Sequence, residues 1–129
     1  MVDISSFLRF GLVGTVGFIV DGGLLQTLVS VAGWGPVEAR LASFPTAVFV
    51  TWLLNRKITF RESANVPAYR SLLRYVVVSL AGASVNLFVY TALVLVSSEM
   101  AARPLVPLAI ASIVALIVNY LGSKHFAFR

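Results

Sequence analysis

Two short polar segments in this sequence carry residue types that are suited to binding a phosphate group. Asn55-Arg56-Lys57 and Ser123-Lys124-His125 each follow an apolar stretch. Arginine binds phosphate in bidentate fashion and lysine supplies a point charge. Thr51 and Asn119 lie one helical turn before these segments and add hydrogen-bonding groups. The pattern predicts two clusters of cations at a membrane interface, and ordinary stop-transfer charge is the competing interpretation.

One acidic residue, Asp21, lies in the middle of the apolar stretch Phe10–Val31. A charged Asp at the bilayer centre costs at least about 2.5 kcal/mol, so it is expected to have a partner or a task. Asn86 holds the matching position in the stretch Tyr75–Val96. Either the two side chains bond helices together, or they line a path for substrate or protons through the membrane.

Composition indicates the elements that must position these residues. Hydrophobic residues make up 59% of the chain and charged residues only 12%, whereas soluble domains carry about 25% charged residues. Four stretches are long enough to span a bilayer. We predict an all-α integral membrane fold with spans at about 10–31, 37–55, 75–96 and 104–122, a cytoplasmic loop at 56–74, and one domain over 1–129.

The basic residues are distributed unevenly between the two predicted sides of the membrane. Eight of the 10 Lys and Arg residues lie in the head, the central loop and the tail, and only Arg40 and Arg103 lie near the two tight turns. This asymmetry predicts that both termini and the loop face the cytoplasm. We therefore expect a multi-pass protein of the cytoplasmic (inner) membrane. Since topology accounts for the net charge, we expect no nucleic-acid partner.

The chain also repeats itself. With an offset of 65, Arg9-Phe10 aligns with Arg74-Tyr75, and Asp21 with Asn86. With an offset of 68, the segment 51–61 aligns with 119–129. The changed offset predicts a three-residue insertion at the outer turn of the second half. Each repeat contains two spans, so both enter and leave on one side, which predicts parallel repeats with an N-in/C-in topology.

Small residues accompany the polar residue in each repeat. Gly14 and Gly17 precede Asp21 on one helical face, and Ser79 and Gly82 precede Asn86 in the same way. Small residues allow helices to approach closely in a membrane. These faces are expected either to pack the two repeats of one chain together or to pair two chains.

Residues for catalysis or metal binding do not converge in this sequence. It has no cysteine and one histidine, which excludes thiolate sites and makes a metal centre on His125 alone implausible. The five acidic residues are scattered along the chain: Asp3, Asp21, Glu38, Glu62 and Glu99. We therefore expect neither an enzyme nor a cofactor.

Several motifs spread over nearly the whole chain carry a family resemblance. They are Phe7-Leu8-Arg9-Phe10-Gly11-Leu12-Val13-Gly14, Asp21, Asn55-Arg56-Lys57-Ile58-Thr59-Phe60, Arg74-Tyr75, and the stretch from Asn119-Tyr120 to Phe128. Through them the chain resembles the GtrA-like family of small membrane proteins. It departs from the family at Ile58, where an aromatic residue is usual, and at Thr51, where Asn is frequent.

The resemblance implies translocation of a polyprenyl-phosphate-linked monosaccharide across the cytoplasmic membrane for cell-surface polysaccharide synthesis. It also implies a membrane glycosyltransferase as partner. The residues expected to contact the phosphate or sugar are Arg9, Asn55, Arg56, Lys57, Arg74, Asn119, Ser123 and Lys124, with Asp21 and Asn86 on the mid-membrane path.

Two other functions compete with translocation. The chain could be a non-transporting scaffold for the glycosyltransferase, or a small four-helix, proton-coupled exporter that uses Asp21. The strong charge asymmetry argues against the exporter, because small exporters that insert in both orientations show weak charge bias. Four helices hardly enclose a path for a sugar, so a homodimer is expected.

Overall fold

The computed structural model describes residues 3–129, apart from the side chain of Ala64. Its long helices are α1 (Ile4–Ser30), α2 (Pro36–Leu54), α3 (Ala68–Val96) and α5 (Leu105–Gly122). A short helix α4 (Ser98–Ala102) precedes α5, and a 3-10 turn (Arg61–Asn65) precedes α3. A π-helical turn extends α2 over Asn55–Thr59 and α5 over Ser123–Ala127. We call these π-turn 1 and π-turn 2.

Four of these helical segments are long and apolar enough to cross a membrane: Ile4–Ser30, Pro36–Thr59, Ala68–Val96 and Leu105–Ala127. Most of their apolar surface is left uncovered; in Ile4–Ser30 and Ala68–Val96 only 11% of the most apolar window is buried. Water would not tolerate so much exposed apolar surface, whereas lipid does. The prediction of an all-α integral membrane protein with four transmembrane helices is confirmed.

Two helices begin earlier than the hydropathy pattern predicted. Helix α1 begins at Ile4 instead of residue 10, and α3 begins at Ala68 instead of residue 75. The predicted loop 56–74 is correspondingly short, and its first residues form π-turn 1. These helix extensions contain polar residues that take part in packing, because Ser6 and Ser71 are buried in them. Hydropathy marks the apolar part of a helix, while backbone hydrogen bonding continues beyond it.

The described residues divide into two compact units at the bond between Pro67 and Ala68. Each unit is one predicted repeat: α1 with α2 and π-turn 1, and α3 with α5 and π-turn 2. Contacts between the first helix and the second are extensive in both units. In each hairpin, the end where the chain enters and leaves is called the terminal end, and the opposite end the turn end.

The buried positions of the two repeats coincide with the sequence offsets. The first helices bury Ser6, Phe10, Val13 and Gly17 in repeat 1 and Ser71, Tyr75, Val78 and Gly82 in repeat 2, all 65 residues apart. The second helix of repeat 1 buries Ala39, Ser43, Ala47 and Trp52. The second helix of repeat 2 buries the aligned residues Pro107, Ala111, Ala115 and Tyr120, each 68 positions later. The same helix faces therefore pack in both hairpins.

The turn ends account for the change of offset. Repeat 1 turns through the five residues 31–35, where Gly33 adopts a φ of 75°, a conformation that side chains other than glycine disfavour. Repeat 2 turns through the eight residues 97–104. Its longer turn contains α4, capped by the Ser97 hydroxyl, which accepts a hydrogen bond of 3.3 Å from the Met100 amide. The three extra residues therefore lie at the turn end of repeat 2.

Candidate functional site

The first candidate cluster is built on π-turn 1, where α2 widens as it ends. The Phe60 amide donates to the Asn55 carbonyl at 2.7 Å, a bond that spans five residues. The Asn55 side chain is 1% exposed, and its Oδ1 accepts a bond of 2.8 Å from the Thr59 hydroxyl. π-Helical turns are rare and frequently occur at functional sites. Asn55 therefore shapes the turn instead of standing open to the interface.

Arg56 is held in place at the same turn. Its Nη2 donates to the Val66 carbonyl at 2.7 Å, and its guanidinium lies 5.9 Å from the centre of the Trp52 ring. The side chain is half-buried, whereas the next residue, Lys57, is exposed. An arginine carries five N–H donors in a planar fork, which suits it to several acceptors at once. The turn thus presents a guanidinium held by a main-chain carbonyl beside an exposed ammonium.

The start of α1 packs beside π-turn 1. The rings of Phe10 and Phe60 lie 6.2 Å apart at an angle of 60°. The preceding residue, Arg9, donates from Nη1 to the Ser5 hydroxyl at 2.6 Å. Its Nε is buried, without a hydrogen-bond partner among the described residues. Arg9 therefore lies beside the aromatic contact that joins α1 to the turn.

π-Turn 2 repeats this construction at the end of α5. The Phe128 amide donates to the Ser123 carbonyl at 2.9 Å, and the Ser123 side chain is fully buried. Lys124 Nζ lies 5.9 Å from the centre of the Tyr120 ring, as Arg56 lies over Trp52. In both repeats one cation stands over an aromatic ring at the terminal end. His125 follows and is exposed.

Arg74 has a different environment from its counterpart Arg9. Its Nη1 donates to the carbonyls of Phe126 and Arg129, each at 3.2 Å, and its Cζ lies 5.1 Å from the centre of the Phe126 ring. The adjacent ring of Tyr75 contacts Phe128 at 5.7 Å. A cation that bonds the last carbonyls of a helix stabilises its end. Arg74 therefore holds π-turn 2 against α3.

The small-residue faces pack helices inside each repeat. A Cβ added to Gly17 would overlap the Thr51 methyl, and one added to Gly82 would overlap the Asn119 amide. This use differs from both expectations, which were packing of repeat against repeat and pairing of chains. The reason is that Thr51 and Asn119 face the first helix of their own hairpin. Gly14 has nothing within 4 Å of an added Cβ and lies outside this contact.

Asp21 forms an ion pair with Arg40, in which Arg40 Nη1 donates to Asp21 Oδ2. The Asp21 side chain is 18% exposed and that of Arg40 is 49% exposed. Asp21 Oδ1 is buried and has no hydrogen-bond partner among the described residues. Arg40 also lies over the Phe44 ring, 5.3 Å from its centre. The costly carboxylate of α1 is thus compensated by the next helix of the same hairpin.

A family model described as "GtrA/DPMS, transmembrane domain" matches residues 9–128. The chain belongs to the GtrA/DPMS transmembrane-domain family. A comparison with curated proteins finds no match. Family membership makes this chain a multi-pass membrane protein of a family associated with the handling of lipid-linked sugars. The match extends over both repeats and both π-turns.

The structure thus gathers the site residues predicted in this GtrA/DPMS domain into one group per repeat. Repeat 1 brings Arg9 and the segment 55–57 to its terminal end, and repeat 2 does the same with Arg74, Ser123 and Lys124. Asn119 lies one turn deeper, against Gly82. Asn86 is half-buried on α3, and a path shared by Asp21 and Asn86 stays a prediction.

Sequence reasoning missed one participant, Arg40. From the sequence it was counted only as one of two basic residues near the tight turns. The available signal was that α1 contains a single acidic residue, Asp21, and that α2 contains a single basic residue, Arg40, in a hairpin with a tight turn. In an antiparallel hairpin such residues face each other when each lies a similar distance from the turn. The carboxylate lies somewhat deeper, and the long arginine side chain covers the difference.

Proposed function

We propose that this protein translocates a polyprenyl-phosphate-linked monosaccharide from the cytoplasmic to the outer leaflet of the cytoplasmic membrane, without catalysing a chemical reaction. The observation that carries this proposal is the duplicated terminal-end cluster, a cation over an aromatic ring on a π-turn, in a chain of the GtrA/DPMS family. Each repeat thus offers a cation for the phosphate of such a lipid.

The clusters suit the anionic part of such a lipid. Arg56 and Lys124 are half-buried and held over Trp52 and Tyr120, so little side-chain entropy remains to be lost when a phosphate binds. Lys57 is exposed beside Arg56 and adds charge at the headgroup level. The buried groups of Asn55 and Ser123 support the turns from beneath. We assign phosphate contact to the cations and positioning to the two polar residues.

The rest of the molecule suits the apolar and sugar parts of the same lipid. Large side chains such as Phe18, Leu87 and Phe88 are 67% or more exposed, and they form apolar walls for an isoprenoid tail. Asp21 and Asn86 provide polar groups for sugar hydroxyls as the headgroup crosses.

A membrane glycosyltransferase would supply the substrate, and a homodimer would complete the enclosure. Finding an active monomer in nanodiscs would contradict the homodimer.

The test is transport by the purified protein alone. Vesicles with only this chain receive a polyprenyl-phosphate sugar that is labelled on its headgroup, and its outward movement is measured by accessibility to a membrane-impermeant reagent. We expect protein-dependent movement that the variant Arg56→Ala/Lys124→Ala slows strongly. Arg70→Ala is the matched control, since Arg70 is an exposed cation outside both clusters. Absence of movement with well-folded protein would refute translocation.

A scaffold for the glycosyltransferase is the second candidate. The exposed cations Lys57, Arg61 and Arg70 at or after the end of repeat 1 favour it, because an acidic partner could bind them without a lipid. In that case the Lys57→Ala/Arg61→Ala/Arg70→Ala variant would lose the co-purifying transferase. Vesicles with the unmodified chain alone would show no transport. The two experiments together separate the candidates.

A further inference from the structure

The turn end of repeat 1 carries an open groove that neither π-turn cluster includes. It has a volume of about 480 Å³ and lies between the last turns of α1 and the first turns of α2. Leu25, Val29, Val37 and Leu41 form its walls, and Arg40 lies among them. Val37 is 73% and Leu41 is 72% exposed. The groove is therefore mainly apolar, with the Gln26 amide and one cation, Arg40, in its lining.

Arg40 and Arg56 belong to opposite ends of one helix. They are 16 residues apart in continuous helical structure, which at 1.5 Å per residue is about 24 Å. This separation approaches the thickness of a hydrocarbon core, about 30 Å. At 100° per residue the two side chains also leave the helix in different directions. The groove at Arg40 is thus separate from the terminal-end cluster and lies near the opposite membrane surface.

We propose that Arg40 and this groove form a second binding site for the translocated lipid phosphate, at the outer leaflet, and that Asp21 weakens this site so that the lipid leaves. The identity of the lipid rests on the proposed function. The groove walls would take the first isoprene units, and the exposed half of the Arg40 side chain would take the phosphate. One cation beside an apolar groove is complementary to one phosphate at the end of an apolar chain.

The carboxylate of Asp21 gives this site its low affinity. Arg40 already donates to Asp21 Oδ2, so a phosphate must share or displace that carboxylate, and the two anions repel each other. An unopposed arginine at this depth would bind phosphate tightly and retain the lipid. A carboxylate that competes for the same guanidinium keeps the cation compensated when the site is empty and favours release when it is occupied.

Repeat 2 provides the natural control. The positions aligned with Asp21 and Arg40 hold Asn86 and Leu108, which can neither pair ionically nor bind a phosphate by charge. Repeat 2 nevertheless forms the same hairpin with the same buried positions. The variant Asp21→Asn/Arg40→Leu therefore gives repeat 1 a pair of residues that this hairpin architecture already tolerates. It removes the proposed site without leaving a charge unpaired.

The experiment measures occupancy of the groove directly. A polyprenyl phosphate with a photoreactive group in its first isoprene unit is titrated onto the purified chain in phosphatidylcholine nanodiscs. Cross-links within residues 25–41 are then quantified by mass spectrometry. We expect saturable labelling of the unmodified protein. Asp21→Asn should lower the half-saturating concentration about tenfold, and Asp21→Asn/Arg40→Leu should raise it about tenfold or more.

The opposite signs of these two changes separate a binding site from a structural ion pair. A purely structural pair predicts equal labelling by all folded variants, and that result would overturn the proposal. So would equal labelling by the dephosphorylated probe, or equal competition by phosphatidylglycerol. If labelling follows the expected pattern but vesicles show no transport, the proposed function fails while the outer site stands. If vesicles show transport but the groove is not labelled, the outer site is refuted while the proposed function stands.

Discussion

The two repeats agree at their terminal ends and differ at their turn ends. Both bury the same helix faces, end in a π-turn, and place a cation over an aromatic ring. Towards the turn, repeat 1 has the Asp21–Arg40 ion pair, where repeat 2 has Asn86 and Leu108. The shared features are those that hairpin packing and headgroup binding require. At the turn end the packed positions such as Ala39 and Pro107 are still shared, while the ion pair is present in repeat 1 alone among the described residues.

The π-turns are also fastened differently. In repeat 1 the chain continues past the turn, and Arg56 of the turn itself bonds the Val66 carbonyl. In repeat 2, Arg74 of the neighbouring helix bonds the carbonyls of Phe126 and Arg129 instead. Each repeat thus uses one arginine to hold carbonyls at its terminal end.

The largest expected effect concerns the orientation of the repeats. If they are parallel, both turn ends face the same side of the membrane. Single cysteines at Ala32 and Ser98, both exposed, should then react with an impermeant thiol reagent in intact cells, while one at Glu62 should be protected. The chain has no native cysteine, so labelling reports each site alone. Opposite reactivity at 32 and 98 would show that the repeats are inverted.

The next effect concerns the ion pair that only repeat 1 possesses. Removal of one partner from a buried pair costs about 3–5 kcal/mol, and because Arg40 is half exposed we expect roughly 2 kcal/mol for Arg40→Leu. The second change in Asp21→Asn/Arg40→Leu should restore most of this stability. Unfolding in mixed micelles, followed by circular dichroism, measures both. If the double variant is no more stable than the single one, the pairing is wrong.

Helix contact inside each repeat should respond alike in both. Gly17→Ala and Gly82→Ala should each destabilise by about 1–3 kcal/mol, because the new methyl overlaps Thr51 or Asn119. Gly14→Ala, where nothing lies within 4 Å, is the control and should be neutral or slightly stabilising. Thr51→Ser removes the obstructing methyl and should rescue Gly17→Ala. The same unfolding measurement applies, and a failure of rescue would disprove this contact.

The smallest effect concerns the two cations over aromatic rings. Arg56→Ala and Lys124→Ala should each reduce binding of polyprenyl phosphate about tenfold, the effect of losing one charge-assisted bond. Arg56→Ala should also lower thermal stability, since Arg56 bonds the Val66 carbonyl. Binding is measured by native mass spectrometry with Arg70→Ala as control. If Arg70→Ala weakens polyprenyl phosphate binding equally, the clusters are not specific sites and act only through the general positive potential of the surface.

The sequence predicted the repeat well because the signal is carried by spacing. Phe10 and Tyr75, or Trp52 and Tyr120, keep the same distance from their neighbours on the helix, and those distances fix the face they occupy. Four pairs of buried positions in each helix consequently follow the two offsets, and the exception is Val48, which is buried while its counterpart Leu116 is half-buried. Helix ends were predicted less well, because Ser6 and Ser71 are polar and hydropathy does not detect them.

The contacts of several predicted site residues could not be read from the sequence. Asn55 and Ser123 were expected to face the ligand, yet both are buried beneath their turns. Arg74 was expected to bind phosphate, and it bonds main-chain carbonyls. In each case the missing information was the π-turn. A bond across five residues widens the helix by one residue and redirects every side chain that follows.

The sequence by itself determined the four apolar helices, their grouping into two similar hairpins and the concentration of cations at their terminal ends. These features depend on hydropathy, spacing and charge count, which are properties of single segments. Only the tertiary structure decided that Asp21 pairs with Arg40 and that Gly17 and Gly82 receive the second helix of their own repeat. Such contacts depend on the rotation and register of one helix against another. Rotation and register are set by the side-chain volumes of both helices together, so they cannot be read from either helix alone.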